Sequence, residues 1–299
     1  MAAGQKQRPY RWRVALTVRC FQFLPLGLRK ALFTALALAA YHVLPRQRLI
    51  ALYNLKTAFP DKDMAEVKAL AGKVYRHMAQ VGAEFFDIPR LTRDNIGDIV
   101  EVEGQEHCRE SLAQGKGLLL FSAHLGNWEL GAIAFSLFFM PNLIIYRPLD
   151  NAFLNALVHH VRSATGNRPV PKERAMMQMM RTLKKNGTVG MLIDQNVARE
   201  EGVFVDFFGR QACTTDGLAQ LALRTGAPVH PLFILRQASG RHRLVMGEEV
   251  KTVNTGAWES DVLVNTQNFT AVIEEMVRRH PEQWLWVHNR WKTKPWQEY

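Results

Sequence analysis

Short apolar runs alternate with segments of helical periodicity along most of the chain. The run Gly117-Leu-Leu-Leu-Phe-Ser122 follows a glycine and is almost wholly apolar, which is typical of a buried strand. Similar runs predict strands at 99–103, 142–146, 188–193, 229–234 and 243–246. Apolar residues at helical spacing predict helices at 62–89, 106–114, 127–139, 151–163 and 262–279. This alternation predicts an α/β fold with a single mixed, mostly parallel sheet flanked by helices.

The first 45 residues have a different pattern. Residues 14–45 are strongly apolar, but Arg19 and the pair Arg29-Lys30 interrupt them. The longest uncharged stretch, 31–45, is shorter than the roughly 20 apolar residues that a spanning helix needs. We therefore predict a membrane anchor over 1–45, with one or two helices lying in the cytoplasmic leaflet and arginines at the headgroups. A helix hairpin in the core of a soluble domain is the alternative. Residues 46–299 are predicted to form one domain.

The charge of the chain favours an anionic partner. Lys and Arg number 38 against 27 Asp and Glu, which gives a net charge of +11. Membrane headgroups and nucleic acid would both fit this charge. The basic residues cluster beside the apolar N-terminus and among the C-terminal tryptophans, so we expect a membrane and no nucleic acid. Three scattered cysteines and one adjacent histidine pair, His159-His160, give no metal-binding pattern, and we expect no cofactor.

Polar residues follow the ends of the predicted strands. His124, Arg147 and Asp194 each come directly after one, and ligands of α/β sheets bind outside these carboxyl ends. A neutral imidazole at position 124 is a suitable general base near neutral pH. Glu129, in the first turn of the next predicted helix, could hold the other ring nitrogen. Without a G-x-S-x-G segment, direct attack by a substrate hydroxyl is favoured over a covalent intermediate.

Five ordered segments resemble a known family. His124-Leu-Gly-Asn-Trp-Glu129 resembles the H-x4-D/E box of glycerolipid acyltransferases, in the H-x-G-N-W-E form of the lipid A late acyltransferases. The other segments are Tyr146-Arg147-Pro148, Asp194-Gln195, Phe207-Phe208-Gly209 followed by Thr214, and Trp286-Val-His288-Asn-Arg290-Trp-Lys292. Asn289 stands where that family usually has arginine. The resemblance covers essentially the whole chain.

The resemblance implies a glycerolipid acyltransferase-like fold and an O-acyltransferase at the cytoplasmic face of a bacterial inner membrane. Such an enzyme transfers a fatty acyl chain from acyl carrier protein or acyl-CoA to a hydroxyl of a lipid A precursor, in lipopolysaccharide biosynthesis. His124 would be the general base and Glu129 its partner, with Arg162 and Asp194 as further catalytic residues. The resemblance also predicts substrate contacts at Tyr146, Arg147, Gly209, Thr214, Arg290 and Lys292. The cations among them, Arg147, Arg290 and Lys292, would suit an anionic lipid.

Two alternatives remain open at the level of the sequence. The acceptor could be a lysophospholipid, an ornithine-type lipid or another glycolipid, since the sequence motifs do not separate these hydroxyl compounds. A protein of another class, which binds membrane lipids without catalysis, would also account for the basic and apolar segments.

Overall fold

A mixed seven-stranded sheet forms the centre of the fold in the computed structural model, which describes residues 10–296. The strands of the chain are β1 (Val100–Glu103), β2 (Leu118–Ser122), β3 (Asn142–Tyr146), β4 (Arg168–Pro171), β5 (Thr188–Leu192), β6 (Gly202–Phe207), β7 (Arg210–Thr215), β8 (Val229–Arg236) and β9 (His242–Met246). The sheet has the order β1-β9-β8-β2-β5-β3-β4, and only the β8–β9 pair is antiparallel. The predicted mixed, mostly parallel sheet is confirmed. Strands β6 and β7 form a separate hairpin.

Ten α-helices lie within the described residues. They are α1 (Arg11–Phe23), α2 (Leu26–Val43), α3 (Pro45–Ala58), α4 (Met64–Phe85), α5 (Gln105–Ala113), α6 (Trp128–Phe138), α7 (Ala152–Arg162), α8 (Ala175–Lys184), α9 (Gly217–Thr225) and α10 (Trp258–Arg279). Helix α4 begins at a capping box, in which Asp63 accepts hydrogen bonds from the backbone of Ala65 and Glu66. The sequence did not predict α3, α8, α9, β4 or the β6–β7 hairpin.

The two faces of the sheet belong to two apolar cores, because successive side chains of a strand point in opposite directions. In β2, Leu119 and Phe121 pack in the core that includes α3, α4, α8, α9, α10 and the C-terminal tryptophans. Leu118 and Leu120 pack in the other core, beneath α6. This alternation explains why β2 is apolar along its whole length: it is buried on both faces.

The N-terminal helices contact the rest of the domain through ion pairs as well as through a small apolar cluster. Arg29 is buried and pairs with Asp87, while Lys30 Nζ lies 2.8 Å from Glu84. The expectation that the arginines of this segment lie at lipid headgroups is therefore wrong for Arg29, which is buried against the turn after α4. The predicted boundary after residue 45 stays a prediction.

Apolar side chains of the same helices face outward. The exposed ones are Trp12, Leu16, Phe23, Leu26, Leu28, Leu32, Leu36 and Val43. Within residues 10–296, no single helix is long and apolar enough to cross a membrane. Helices α1 and α2 together do reach that length and composition, with a bend of 106° between them.

Candidate active site

His124 and Asp194 are brought together by the register of two neighbouring parallel strands. Ser122 at the end of β2 pairs with Leu192 at the end of β5, and each of the two polar residues follows two positions later. His124 Nδ1 lies 2.8 Å from Asp194 Oδ1. The backbone N–H of His124 also donates to Asp194 Oδ2 over 2.8 Å. Two hydrogen bonds therefore fix the ring and its backbone against one carboxylate.

Asp194 is held in its charged form. Its side chain is buried, and Trp284 Nε1 donates a third hydrogen bond to it over 2.8 Å. Burial opposes the negative charge, but His124 and the hydrogen bonds outweigh burial and lower the pKa of Asp194 to about 2. A carboxylate only accepts hydrogen bonds, so in the neutral ring of His124 the proton lies on Nδ1 and Nε2 presents a lone pair. The amide nitrogen of Gln195 lies 3.4 Å from this Nε2.

Glu129 is paired with Arg162 and makes no hydrogen bond to His124. Arg162 donates from Nε and Nη2 to the two carboxylate oxygens, over 2.8 and 2.6 Å. Trp128 Nε1 donates to the same carboxylate over 3.1 Å. Burial opposes both charges, but the attraction between Glu129 and Arg162 outweighs it. The pKa of Glu129 is therefore lowered and the pKa of Arg162 is raised. The predicted role of Glu129 as orienter of His124 is therefore wrong; Asp194 occupies that position.

The turn between His124 and α6 is held from both sides. Gly126 has a φ of +63°, and a Cβ there would lie 1.6 Å from the carbonyl oxygen of Ile234, so only glycine fits. His77 Nε2 donates to the Gly126 carbonyl over 3.1 Å. Asn127 caps α6 by accepting from the backbone of Leu130. These contacts fix where His124 and Glu129 point.

A cleft of about 1450 Å³ opens at this edge of the sheet. The predicted site residues that line it are His124, Glu129, Tyr146, Arg147, Arg162 and Lys292. The guanidinium of Arg162 lies over the Tyr146 ring, 5.7 Å from its centroid. Arg147 is mostly exposed, and its only ion pair with a described residue is a 4.0 Å contact with Asp150. Of the three polar residues predicted at strand ends, His124 and Arg147 line this cleft, whereas Asp194 is buried behind His124.

Comparison with known proteins decides the family. The model of the family described as bacterial lipid A biosynthesis acyltransferase matches residues 5–293. This chain belongs to that family.

Three relatives illustrate the range of similarity to this acyltransferase. The lipid A biosynthesis lauroyltransferase of Escherichia coli K12 is 29% identical, over 86% of this chain and 82% of the relative. The lipid A biosynthesis palmitoleoyltransferase of the same organism is 25% identical, over 91% of this chain and 87% of the relative. The phosphatidylinositol mannoside acyltransferase of Mycolicibacterium smegmatis is 24% identical, over 71% of this chain and 69% of the relative.

Three predicted substrate contacts of the acyltransferase lie outside the cleft. Arg290 is fully buried, donates to the Cys213 carbonyl over 2.9 Å and bonds to Thr214 Oγ1. Burial lowers the pKa of Arg290 to about 10. Thr214 is itself buried, and Gly209 forms the β6–β7 turn with a φ of +71°. Arg290 and Thr214 thus join the hairpin to the C-terminal segment and Gly209 forms its turn, so none of the three lies where the cleft would hold a lipid.

Two residues that the sequence analysis did not select complete the site. Trp284 binds Asp194 as described above. His288 lines the cleft, its Nε2 accepts a hydrogen bond from the Asn196 backbone over 2.9 Å, and burial lowers its pKa to about 4. The one sequence feature that pointed to His288 is its place in the C-terminal segment 286–292. Among residues 10–296, no cluster of three or more His, Cys, Asp or Glu side chains could hold a metal ion.

Proposed function

We propose that this member of the lipid A acyltransferase family transfers a fatty acyl chain from a thioester to a hydroxyl of a lipid A precursor, with His124 as general base. The observation that carries the proposal is the hydrogen bond between His124 Nδ1 and Asp194, which in the neutral ring places the proton on Nδ1 and leaves Nε2 as an acceptor at the cleft. A base in that state accepts the proton of an attacking hydroxyl.

The reaction needs no covalent enzyme intermediate. The acceptor oxygen attacks the thioester carbonyl carbon while its proton moves to Nε2 of His124. The negative charge of Asp194 stabilises the imidazolium that forms. The carbonyl then re-forms, the C–S bond breaks, and the departing sulfur takes the proton from Nε2. The products are an ester and a thiol, and His124 returns to its neutral state.

Arg162 has one nitrogen left for the reacting carbonyl. Its Nε and Nη2 are bonded to Glu129, whereas Nη1 has no partner among the described residues. A fixed guanidinium donor at the cleft would stabilise the negative charge that develops on the carbonyl oxygen. Under this proposal Glu129 acts by holding Arg162 in place, and Asp194 by holding His124.

Two cations at the cleft suit an anionic acceptor. Arg147 and Lys292 are both exposed and both line the cleft. A guanidinium binds phosphate oxygens through a planar pair of donors, and an ammonium adds a point charge. We propose that these two residues bind the acidic groups of the acceptor lipid, with Tyr146 packing beside Arg162.

The outward apolar side chains of α1 and α2 support a membrane location. Helix α1 packs on α7, and exposed Leu149 and Leu154 extend the apolar surface toward the cleft, which Leu149 lines. A lipid acceptor could therefore enter the cleft from a membrane on which these helices lie. We propose residues 1–45 as an interfacial anchor at the cytoplasmic face of the inner membrane, where acyl thioesters are available.

The donor and acceptor are tested together. Purified protein is incubated with labelled acyl carrier protein or acyl-CoA and, in parallel, with a lipid A precursor, a lysophospholipid and a mannosylated phosphatidylinositol, and products are separated by thin-layer chromatography. We expect acylation of the lipid A precursor from acyl carrier protein. Preferred acylation of another lipid would overturn the acceptor assignment, and a faster reaction with acyl-CoA would overturn the donor assignment.

A further inference from the structure

A mostly buried carboxylate lies behind the turn between His124 and α6, near the end of α4. Only 12% of the Glu84 side chain is exposed, and its Oε1 lies 2.8 Å from Lys30 Nζ. Arg236 donates to Oε1 over 2.7 Å and to Oε2 over 2.6 Å. Asn127 Nδ2 also donates to Oε2, over 2.9 Å. One carboxylate on α4 thus contacts α2, β8 and the first residue before α6.

These contacts depend on the charge of Glu84. Burial opposes the charge, but the contacts with His242 and Arg236 outweigh burial and keep the pKa of Glu84 well below its ordinary value. Among the described residues, neither Asn127 Nδ2 nor the guanidinium of Arg236 has another acceptor. Loss of the carboxylate would therefore leave buried donors without a partner, which is unfavourable.

Glu84 decides which way the amide of Asn127 points, because a carboxylate can only accept hydrogen bonds. With Nδ2 turned toward Glu84, Oδ1 of Asn127 faces the helix and accepts from the backbone N–H of Leu130 over 3.2 Å, which caps α6. Glu129 lies in the first turn of that helix, where it holds Arg162. The position of the Glu129–Arg162 pair therefore depends on Glu84.

A second connection from Glu84 reaches the other side of the same turn. Arg236 exchanges two hydrogen bonds with Gln283: its backbone N–H donates to Oε1 over 2.9 Å, and its carbonyl accepts from Nε2 over 3.0 Å. The carbonyl of Gln283 in turn accepts from the N–H of Gly126 over 3.0 Å. Glu84 is thus connected to Gly126 through Arg236, as it is directly to Asn127.

Helix α2 supplies one of the cations on Glu84. Lys30 reaches Oε1, and the neighbouring Arg29 is buried in an ion pair with the turn after α4. The two helices also lie close together, since a Cβ on Gly82 of α4 would lie 3.1 Å from Phe33 Cδ1 of α2. Helix α2 carries the outward apolar side chains described above. The helix proposed to lie on the membrane is therefore the helix that completes the contacts of Glu84.

We infer that Glu84 is a positioning residue for the acyl transfer, and that the seating of α2 on α4, through Lys30, completes its contacts; this rests on the proposed function. Glu84 does not line the cleft, so it acts through Asn127 and Arg236 and not on the substrate. The N-terminal helices then support the catalytic site in addition to anchoring the protein.

The first test removes the charge of Glu84 and keeps its volume. In Glu84→Gln, an amide nitrogen in place of Oε2 would oppose Asn127 Nδ2, and two donors do not pair. We expect kcat for acyl transfer to the lipid A precursor to fall by about 10²-fold, the scale of a slightly misplaced catalytic group, with KM little changed. A wild-type kcat in Glu84→Gln would overturn the inference.

Asp261→Asn is the matched control for loss of a buried carboxylate. Asp261 is buried near the start of α10, outside the cleft, and accepts hydrogen bonds from Thr255 and Gly256. Its substitution should lower the stability of the protein and leave kcat at the wild-type value. An equal fall of kcat in both variants would show that Glu84 serves general stability only.

Exchanging donor and acceptor separates positioning from stability. Glu84→Gln/Asn127→Asp places an amide donor opposite a carboxylate, so the hydrogen bond forms again in the reverse direction, and the new carboxylate can still accept from Leu130. We expect kcat to recover about tenfold or more over Glu84→Gln. No recovery in a folded double variant would overturn the role of the bond to Asn127.

Hydrogen exchange reports the turn without catalysis. Mass spectrometry of the peptide that covers residues 126–131 follows the N–H of Leu130, which Asn127 binds. Exchange should be faster in Glu84→Gln than in the wild type, and unchanged in Asp261→Asn. If the wild type transfers no acyl chain, the proposed function fails, and these exchange rates alone decide the role of Glu84.

Two single changes in the N-terminal helices test the link to α2. Lys30→Met should lower kcat about two- to fivefold, less than Glu84→Gln, because a partly exposed ion pair contributes less than a buried one. Arg19→Met, at an exposed position of α1, should keep the wild-type kcat. Sedimentation with anionic vesicles shows whether either variant has lost membrane binding. A wild-type kcat in Lys30→Met, or a fall that only follows lost vesicle binding, would overturn the link to α2.

Discussion

The carboxylate of Asp194 accepts a hydrogen bond from Nδ1 of His124 over 2.8 Å, although 70 positions separate the two residues in sequence. They meet because each follows, by two positions, the last residue of a strand in one parallel pair. The strand register thus brings the proposed base and its orienting group to the same edge of the sheet. This is the arrangement expected of a histidine that must keep Nε2 free of its proton.

Asp194→Asn should abolish most activity without moving the ring far. An amide can donate to Nδ1, which would place the ring proton on Nε2, where the substrate hydroxyl needs an acceptor. We expect kcat to fall by about 10³–10⁴-fold, the scale seen when an orienting carboxylate is lost. Asp150→Asn is the control, because Asp150 also lines the cleft but is almost fully exposed. Asp194→Asn with near-normal kcat would show that the carboxylate does not set the tautomer.

Glu129→Gln should lower both the stability of the protein and the rate of acyl transfer. The change leaves the guanidinium of Arg162 enclosed without its counter-charge, which typically costs about 3–5 kcal/mol. Urea unfolding measures this loss. The double variant Glu129→Gln/Arg162→Met should recover part of the stability but no activity, because the unpaired charge is gone while the donor for the carbonyl is also gone. If the double variant loses as much unfolding free energy as the two single variants lose together, the Glu129–Arg162 pairing is contradicted.

Stability should fall on mild acidification because two histidines, His77 and His288, have lowered pKa values in the folded protein. Burial lowers the pKa of His77 and of His288 to about 4, from an ordinary value near 6.5. Between these values the unfolded chain binds protons that the folded chain does not, so the free energy of unfolding decreases as pH falls from about 6.5 to about 4. The loss should be on the order of 1–3 kcal/mol per histidine.

His77→Gln provides the check on this pH dependence. Urea unfolding at several pH values should show a shallower decrease for this variant than for the wild type. His42→Gln, at an exposed position of α2, should keep the wild-type slope. An equal slope in all three proteins would rule out His77 as a source of the acid sensitivity.

Membrane binding should depend on the outward face of α2. Replacing Leu28, Leu32 and Leu36 together by serine removes exposed apolar area on one side of the helix. We expect binding to anionic vesicles, measured by sedimentation, to weaken about ten- to hundredfold. Met177→Ser/Met180→Ser, which removes exposed side chains from α8, is the control. Unchanged vesicle binding in the leucine variant would favour the alternative of a helix hairpin that serves only the domain.

Local pattern was enough to predict the general architecture. Uniformly apolar runs such as β2 occur only where both faces of a strand are buried, so they predicted a sheet covered by helices. Strand β4 and the β6–β7 hairpin lack this signal, because β4 carries two prolines at the sheet edge and the hairpin mixes polar with apolar residues. Helix α8 was missed although its buried residues recur at helical spacing.

The site was only partly predictable for a physical reason. The location of His124, Arg147 and Asp194 at one edge followed from their positions after apolar runs. The partner of His124 did not, because Glu129 is close in sequence whereas contact with Asp194 depends on the β2–β5 register. Burial of Arg290 was equally hidden, since a cation near tryptophans suits both a headgroup and a packed terminus. Its contacts with Cys213 and Thr214 decide for the second.

The most direct test of the account is the rate of acyl transfer to the lipid A precursor by His124→Ala, measured beside the wild type and His280→Ala. All three proteins are first shown to be folded by their thermal unfolding. His280 lies after α10 and outside the cleft, so its variant controls for the loss of an imidazole. The account predicts that His124→Ala lowers kcat by about 10²–10⁴-fold while His280→Ala keeps the wild-type rate. A folded His124→Ala protein that transfers acyl chains at nearly the wild-type rate would contradict it.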